Sequence, residues 1–188
     1  MTTNSPDRRV QRTRARLHEA LASLIHEKPY EGVVVKEILA RADVGRSTFY
    51  SHFRNKEELL DSSIRDVLEA GRTGARGSTI ADETLQCARR VFDHIDRHLA
   101  AGKRLDARGR TIVHHRLKKL LVRRIADVLK RSPHDQRGSR SDLPDQLIGQ
   151  FVASTFVVIL QWQLESNGAL APEEASEILR RLLAPVLS

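Results

Sequence analysis

The sequence predicts an all-α protein in two parts, a bundle of three short helices followed by a larger helical domain. Two observations predict this class. Apolar residues recur every three or four positions along nearly the whole chain, and no segment alternates apolar and polar residues with the period of two that strands show. The chain has 188 residues, of which 40% are hydrophobic and 30% charged, so it can form one or two soluble globular domains.

Four helices are predicted in the N-terminal part. Each has an apolar face at helical spacing and is bounded by a proline, a glycine or a capping residue. Pro29 ends the first helix, because proline disfavours helical geometry in the residue before it, and Asn55 caps the fourth. The four helices include residues 17–28, 35–42, 46–53 and 56–70.

The C-terminal part is predicted to contain four longer helices. Residues 71–79, with three glycines, form the predicted flexible connection, and the polar segment 132–142 is a predicted loop. Pro172 and the acids behind it are typical of a helix start. The four helices include residues 85–99, 112–129, 144–165 and 172–186. The predicted division is therefore a first domain over 1–55, a linking helix over 56–70 and a second domain over 71–188.

Cysteine usage and apolar patterning exclude several classes of protein. The single cysteine, Cys87, excludes an intrachain disulfide and leaves too few thiolates for a cysteine-based zinc site. The Arg-rich stretch before Leu17 is no secretory signal. Gln150 and Gln161 interrupt the long apolar run at 147–164, which favours a buried helix over a membrane span. We therefore expect a cytoplasmic protein with no cofactor, no metal and no membrane partner.

Two short helices joined by a tight turn, at 35–42 and 46–53, are the pattern of a helix-turn-helix, whose second helix enters the DNA major groove. At 3.6 residues per turn, Phe49 and Phe53 fall on one side of that helix and the polar residues point elsewhere. The phenylalanines are expected to pack, and the polar residues can contact DNA. Spacing alone leaves open a helical hairpin in which these aromatic residues only pack.

Residues 12–60 closely resemble the DNA-binding domain of the TetR family of transcriptional regulators. The alanine before the turn, Thr-Phe-Tyr-x-His-Phe at 48–53 and Lys-Glu-x-Leu at 56–59 carry the resemblance. It implies that Arg46, Ser47 and Thr48 reach base edges and that Ser51 can face a base. The residues for which it implies phosphate contacts are Tyr50, His52, Lys56 and, as a weaker candidate, Lys36.

Three positions depart from the family pattern around the turn. Val34 replaces a frequent threonine, so no phosphate-binding cap is expected before the second helix. Gly45 replaces the common serine cap of the third helix, at a cost of a few tenths of a kcal/mol. Asp43 replaces the common turn glycine and is among the few residues that tolerate left-handed geometry.

The resemblance implies a homodimeric repressor that binds a palindromic operator in double-stranded DNA and is released by a small-molecule effector. An architectural DNA-binding protein without an effector is the alternative. An enzyme that uses the histidines is a third class, but the sequence contains no nucleophile motif, phosphate-binding glycine loop or metal-ligand set.

The helix around 147–160 is apolar on nearly all sides, so two surfaces must cover it. Its own domain and a partner copy can do so, whereas a monomeric core is the alternative. The resemblance implies that the last two helices pair across the dimer, and small residues such as Gly149 permit close approach. The predicted interface residues are Gly149, Ala153, Phe156, Leu160, Ile178, Leu182 and Val186.

Aromatic and histidine side chains of the second domain are candidates for lining an effector pocket. His94 and His98 lie four residues apart, a spacing that metals can also use, although solvated histidines are the simplest interpretation. The candidate pocket residues are Phe92, His94, His98, Phe151, Phe156 and Trp162. Residues 103–131 hold 11 basic and 2 acidic side chains, whereas the net charge of the whole chain is +8. This basic block is interpreted as a solvated surface, a phosphate contact or an attraction for an anionic effector.

Overall fold

The computed structural model describes residues 5–70, 80–131, 143–166 and 168–187. Over these residues it contains α-helices, one 3₁₀ turn at Tyr30–Gly32 and no strand, which confirms the predicted all-α class. The helices are α1 Ser5–Glu27, α2 Val35–Ala42, α3 Arg46–His52, α4 Lys56–Glu69, α5 Ile80–Ala100, α6 Ala107–Arg131, α7 Asp145–Glu165 and α8 Pro172–Leu187. The predicted connection at 71–79 and the predicted loop at 132–142 lie outside the described residues.

The chain divides into two compact units. The first comprises Met1–Ile64 with Arg104–Val113, and the second comprises Arg65–Lys103 with His114–Ser188. The start of α6 therefore belongs to the first unit, although nothing in the sequence assigns it there. The division into domains at 55 and 71 stays a prediction.

The core of the first unit joins α1, α2, α3 and α4. α1 packs against α2, and the apolar face of α1 is buried at Leu17 and Leu21. Phe49 on α3 is 0% exposed, and its ring centroid lies 5.8 Å from that of Phe53. The two phenylalanines therefore anchor α3 from one side, as their spacing predicts.

Polar contacts fasten the helices of this unit to one another. Lys28 Nζ donates to both carboxylate oxygens of Glu37 at 2.5 and 2.6 Å, and this hydrogen-bonded cation holds the pKa of Glu37 below its ordinary value near 4.5. Arg41 pairs with Glu27 and lowers the pKa of that carboxyl in the same way. These two pairs tie the end of α1 to α2.

The second unit is built around α7 and α8. α8 packs against both α5 and α7, and eight residues of α7 are buried. Gly149 lies against α6. A Cβ atom added at this position would lie 3.5 Å from the Val122 carbonyl oxygen. The buried Gln163 accepts from the Leu170 amide at 3.3 Å and donates to its carbonyl at 2.5 Å, which fixes the approach to α8.

Among the described helices, α7 is long and apolar enough to cross a membrane by length and composition alone. Core helices of soluble proteins share these properties. The burial of eight α7 residues within the chain itself agrees with the buried helix that the sequence predicts.

Candidate nucleic-acid interface and C-terminal cleft

The turn between α2 and α3 has the left-handed geometry that its sequence implies. Asp43 ends α2 with φ 50° and ψ 53°, and the Val44 amide donates to the Leu39 carbonyl at 3.1 Å. Aspartate tolerates this conformation better than most residues. Arg16 of α1 donates to the Asp43 carboxylate at 2.9 Å, so the turn is also fastened to α1.

α3 presents a polar face opposite its buried phenylalanines. It begins after Gly45, which has extended geometry and no side chain to cap the helix, as expected. Phe49 and Phe53 are buried on the inner side. The exposed residues on the outer side are Arg46, Ser47, Thr48, Tyr50 and Ser51, and His52 is half-buried. The structure thus brings together six of the eight residues that the resemblance implies for DNA contact.

Side chains on this face are partly ordered by one another. The Tyr50 and Phe49 rings meet at right angles with 5.2 Å between centroids, and the Arg46 guanidinium lies 5.7 Å from the Tyr50 centroid. Ser51 Oγ donates to the Thr48 carbonyl at 2.7 Å, which leaves its oxygen to accept a hydrogen bond. Such ordering lowers the entropic cost of fixing these side chains against a ligand.

Lys56 departs from the phosphate contact that the resemblance implies. Its Nζ donates to the backbone carbonyls of Tyr30 at 2.9 Å, Glu31 at 3.1 Å and Val33 at 2.7 Å, and it lies 4.6 Å from the Tyr30 ring centroid. An ammonium group has three donors, and all are engaged here. In this structure Lys56 holds the 3₁₀ turn in place, and its contact with a phosphate stays a prediction.

The start of α2 also differs from an anion-binding cap. Val34 is 52% exposed and has no acceptor, while the Glu37 carboxylate accepts from the Val34 amide at 3.1 Å. A carboxylate already occupies the position that a phosphate would take. Lys36, on the same helix, is exposed and remains the eighth candidate for DNA contact.

The second unit contains a cleft bounded by α5, α6 and α7. The space between its lining residues is about 340 Å³, part of which is open solvent. Most of its walls are apolar, and its charged lining residues are Glu83 and Arg124. Cys87 also lines it, and burial raises the pKa of this thiol above its ordinary value near 9.0. A thiol in that state is a small buried hydrophobe rather than a reactive thiolate.

The cleft shares only Phe156 with the six candidate pocket residues. Phe92 packs against Phe156 with 5.2 Å between ring centroids but does not itself line the cleft. His94 and His98 lie 4.4 Å apart as a ring pair on α5 and do not line the cleft. Phe151 and Trp162 are 44% and 48% exposed on the opposite side of α7. These five residues do not line this cleft, and their assignment to an effector pocket stays a prediction.

Metal binding finds no support in the described residues, which hold no group of three or more His, Cys, Asp and Glu placed for an ion.

The predicted interface residues require a larger correction. Gly149, Ala153, Phe156 and Leu160 are buried inside the chain, so they cannot face a partner. Small residues at this spacing do permit close helix approach, but α7 makes that approach to α6. On α8, Leu182 is 52% exposed, while Ile178 and Val186 are half-buried.

The exposed side of α7 carries the apolar residues that the prediction missed. Leu147, Phe151, Val158 and Trp162 are each between 44% and 65% exposed, and their spacing of four, seven and four places them in one stripe. We call these four residues the α7 stripe. Because α7 is apolar on nearly all sides, periodicity alone does not show which of its sides the chain itself buries.

Comparison with known proteins points to the same helix-turn-helix. A profile described as "Bacterial regulatory proteins, tetR family" matches residues 17–62. Over 60 residues the chain is 43% identical to the uncharacterized HTH-type transcriptional regulator YxbF of Bacillus subtilis. This match covers 31% of this chain and 16% of YxbF. Over 112 residues it is 32% identical to the HTH-type transcriptional regulator TtgR of Pseudomonas putida, covering 57% and 51%. The chain thus spans about half or less of these curated relatives.

The fold extends the likeness over nearly the whole chain. A TetR transcriptional regulator from Streptococcus agalactiae superposes with a TM-score of 0.54 over 95% of this chain and 97% of that structure, at 24% identity. The relatives are named as regulators of transcription rather than enzymes, which confirms that prediction. Residues 17–62 therefore match the TetR family of bacterial regulatory proteins, and the fold of the chain is shared with a solved TetR transcriptional regulator.

Proposed function

We propose that the chain is a cytoplasmic, homodimeric repressor that reads a palindromic operator and is released by a small-molecule effector. The observation that carries the proposal is α3, whose buried Phe49 leaves Arg46, Ser47 and Thr48 exposed on one turn. Side chains at the start of a recognition helix reach base edges in the major groove. Arginine recognises guanine through two hydrogen bonds, and the threonine methyl suits thymine.

The α7 stripe supports the homodimer. Five of the nine exposed large apolar residues of the described chain lie on α7 and α8: the stripe itself and Leu182. A contiguous apolar surface of this kind marks an interaction site. A second copy of the chain is the proposed occupant, because twofold pairing supplies two reading helices, and a palindrome has two half-sites about 34–36 Å apart.

The cleft of the second unit is the proposed effector site. Ligand pockets are concave and mostly apolar with a few polar groups, and this cleft has that composition. An effector acts by binding more tightly to the state that does not bind DNA.

Operator selection from random duplexes, followed by footprinting, tests the proposal. One short palindrome protected on both half-sites is the expected result, and Arg46→Ala should weaken binding by about 1–3 kcal/mol and relax the preference at one base pair per half-site. Lys118→Ala, an exposed change on α6, is the matched control. Even protection along any duplex would support the architectural alternative instead.

A further inference from the structure

The first half of α1 carries a concentrated positive charge. Residues 8–16 contain five arginines and no acidic residue. Arg9, Arg12 and Arg16 are exposed. They stand three and four residues apart, so they share one side of the helix. We call these three residues the α1 arginine row, which is about 10 Å long because each residue adds about 1.5 Å to a helix.

The opposite side of this stretch fastens α1 to its own unit. Leu17 is buried there, one residue after the row ends. Arg14 is half-buried, donates to Ser62 Oγ at 2.7 Å and lies with its guanidinium 5.8 Å from the Phe53 ring centroid. The row therefore faces away from the core, on a helix whose position is fixed by contacts with α4 and with Phe53.

Arg16 connects the row to the reading helix. It donates to the Asp43 carboxylate at 2.9 Å. Asp43 stands three residues before Arg46, which is at most about 11 Å of chain. The start of a recognition helix is the part that approaches the bases, so elements joined to it lie beside the duplex. One end of the row is thus continuous with the surface proposed to read DNA.

Arg9 and Arg12 are available to bind an anion. Within the described residues, no hydrogen bond or ion pair engages either side chain, whereas Arg16 has Asp43. Guanidinium groups bind phosphate oxygens through paired, charge-assisted hydrogen bonds. The sugar–phosphate backbone of a duplex is an extended polyanion, with one charge per about 1.7 Å of its axis. An extended row of cations beside a reading helix fits that backbone.

We propose that Arg9 and Arg12 bind phosphates of the duplex backbone beside the half-site that α3 reads, with Arg16 as the positioning residue. Phosphate contacts fix the register and orientation of a protein on DNA and carry no base preference. This inference rests on the proposed function and adds α1 to the elements that contact DNA.

The salt dependence of DNA binding by the full chain tests the proposal, measured on the selected operator and on an unrelated duplex of the same length. A variant that combines Arg9→Gln and Arg12→Gln should lower the slope of log affinity against log salt by about two on both duplexes. It should also weaken binding about tenfold or more at about 0.15 M salt.

Two matched variants separate a phosphate contact from other effects. Arg9→Lys with Arg12→Lys should keep the slope, because the charges remain. Lys118→Gln with Arg123→Gln removes the same charge from exposed positions on α6 and should leave the slope unchanged.

An unchanged slope for the α1 glutamine variant, an equal fall for the α6 control, or an equal fall for the lysine variant would each overturn the assignment. A loss confined to the operator would also overturn it, because both duplexes carry the same phosphates. A wild-type chain that selects no palindrome contradicts the proposed function instead. Its slope on the unrelated duplex still tests the α1 arginine row, so the two failures are distinguishable.

Discussion

The two compact units place their candidate functional residues in opposite ways. In the first unit, the outer face of α3 gathers six candidate DNA contacts within seven consecutive residues, Arg46–His52. In the second unit, the cleft draws its lining from three helices, over positions from Glu83 to Phe156. A site on one short helix is determined by the local sequence. A site between packed helices depends on which face of each helix contacts its neighbours.

Phe49→Ala should destabilise the first unit, because it removes the buried side chain that anchors α3. Phe49 is 0% exposed, so the substitution leaves a cavity and should lower the free energy of unfolding by about 3–5 kcal/mol. Tyr50→Ala is the control, because Tyr50 is 48% exposed; it should cost about 0.5 kcal/mol of stability while weakening operator binding. Urea denaturation measures the free energy of unfolding of both variants. Equal destabilisation by the two variants would contradict the inner and outer faces assigned to α3.

Val158→Glu should break the proposed pairing of the second unit. Val158 is 65% exposed in the α7 stripe, and a carboxylate buried there between two copies would lose its hydration without a partner. The expected cost is about 3 kcal/mol, or roughly 100-fold in dimer affinity. Sedimentation velocity measures the shift to monomer. Gln86→Glu, an exposed change on α5, should leave the dimer intact, and a dimer that tolerates Val158→Glu would remove the stripe from the interface.

Lys56→Met should lower stability rather than weaken phosphate contact. Three backbone carbonyls lose the donor that Lys56 supplies, at an expected cost of about 1–3 kcal/mol in unfolding free energy. Lys36→Met is the control: this exposed lysine should leave stability unchanged and reduce the salt dependence of operator binding by about one phosphate contact. The reverse pattern, with stability intact and the salt slope reduced for Lys56→Met, would restore the phosphate contact.

Acid should loosen the first unit slightly. The pKa values of Glu27 and Glu37 are lowered by hydrogen bonds from Arg41 and Lys28. Carboxyls of this kind stabilise the fold above their unfolded pKa, near 4.5, and the contribution disappears as the pH falls through their lower folded values. Because both carboxyls are exposed, the effect is small. Thermal melts between pH 6 and pH 3 should show a shallower acid loss for Arg41→Gln than for wild type; an identical loss would contradict the contribution of this pair.

Much of the first unit could be predicted from local sequence. The bounds of α2, the left-handed Asp43 and the inner side of α3 follow from capping, turn chemistry and periodicity. The resemblance adds base contacts that periodicity cannot supply. Lys56 escaped prediction because its partners are backbone carbonyls at 30–33, and no side-chain pattern encodes them.

The second unit was predicted less well for a physical reason. A helix that is apolar on nearly all sides, such as α7, does not indicate which side its own domain covers. The sequence therefore predicts that Gly149 faces the partner, although it contacts α6, and that Trp162 lines a pocket, although it is exposed. Arg124 was detectable, since its spacing from Leu117 places a charge on an otherwise apolar side.

We propose that DNA is read by the outer face of α3 and not by the basic block at 103–131, whose surplus of positive charge is larger. Lys119 and Arg123 of that block are exposed, and Arg116 is half-buried. The most direct test is the salt dependence of operator affinity for a variant that combines Arg116→Gln, Lys119→Gln and Arg123→Gln. We predict an affinity and a salt slope nearly equal to those of wild type. A slope that falls by about one for each neutralised side chain would contradict the claim and place the block on the DNA backbone.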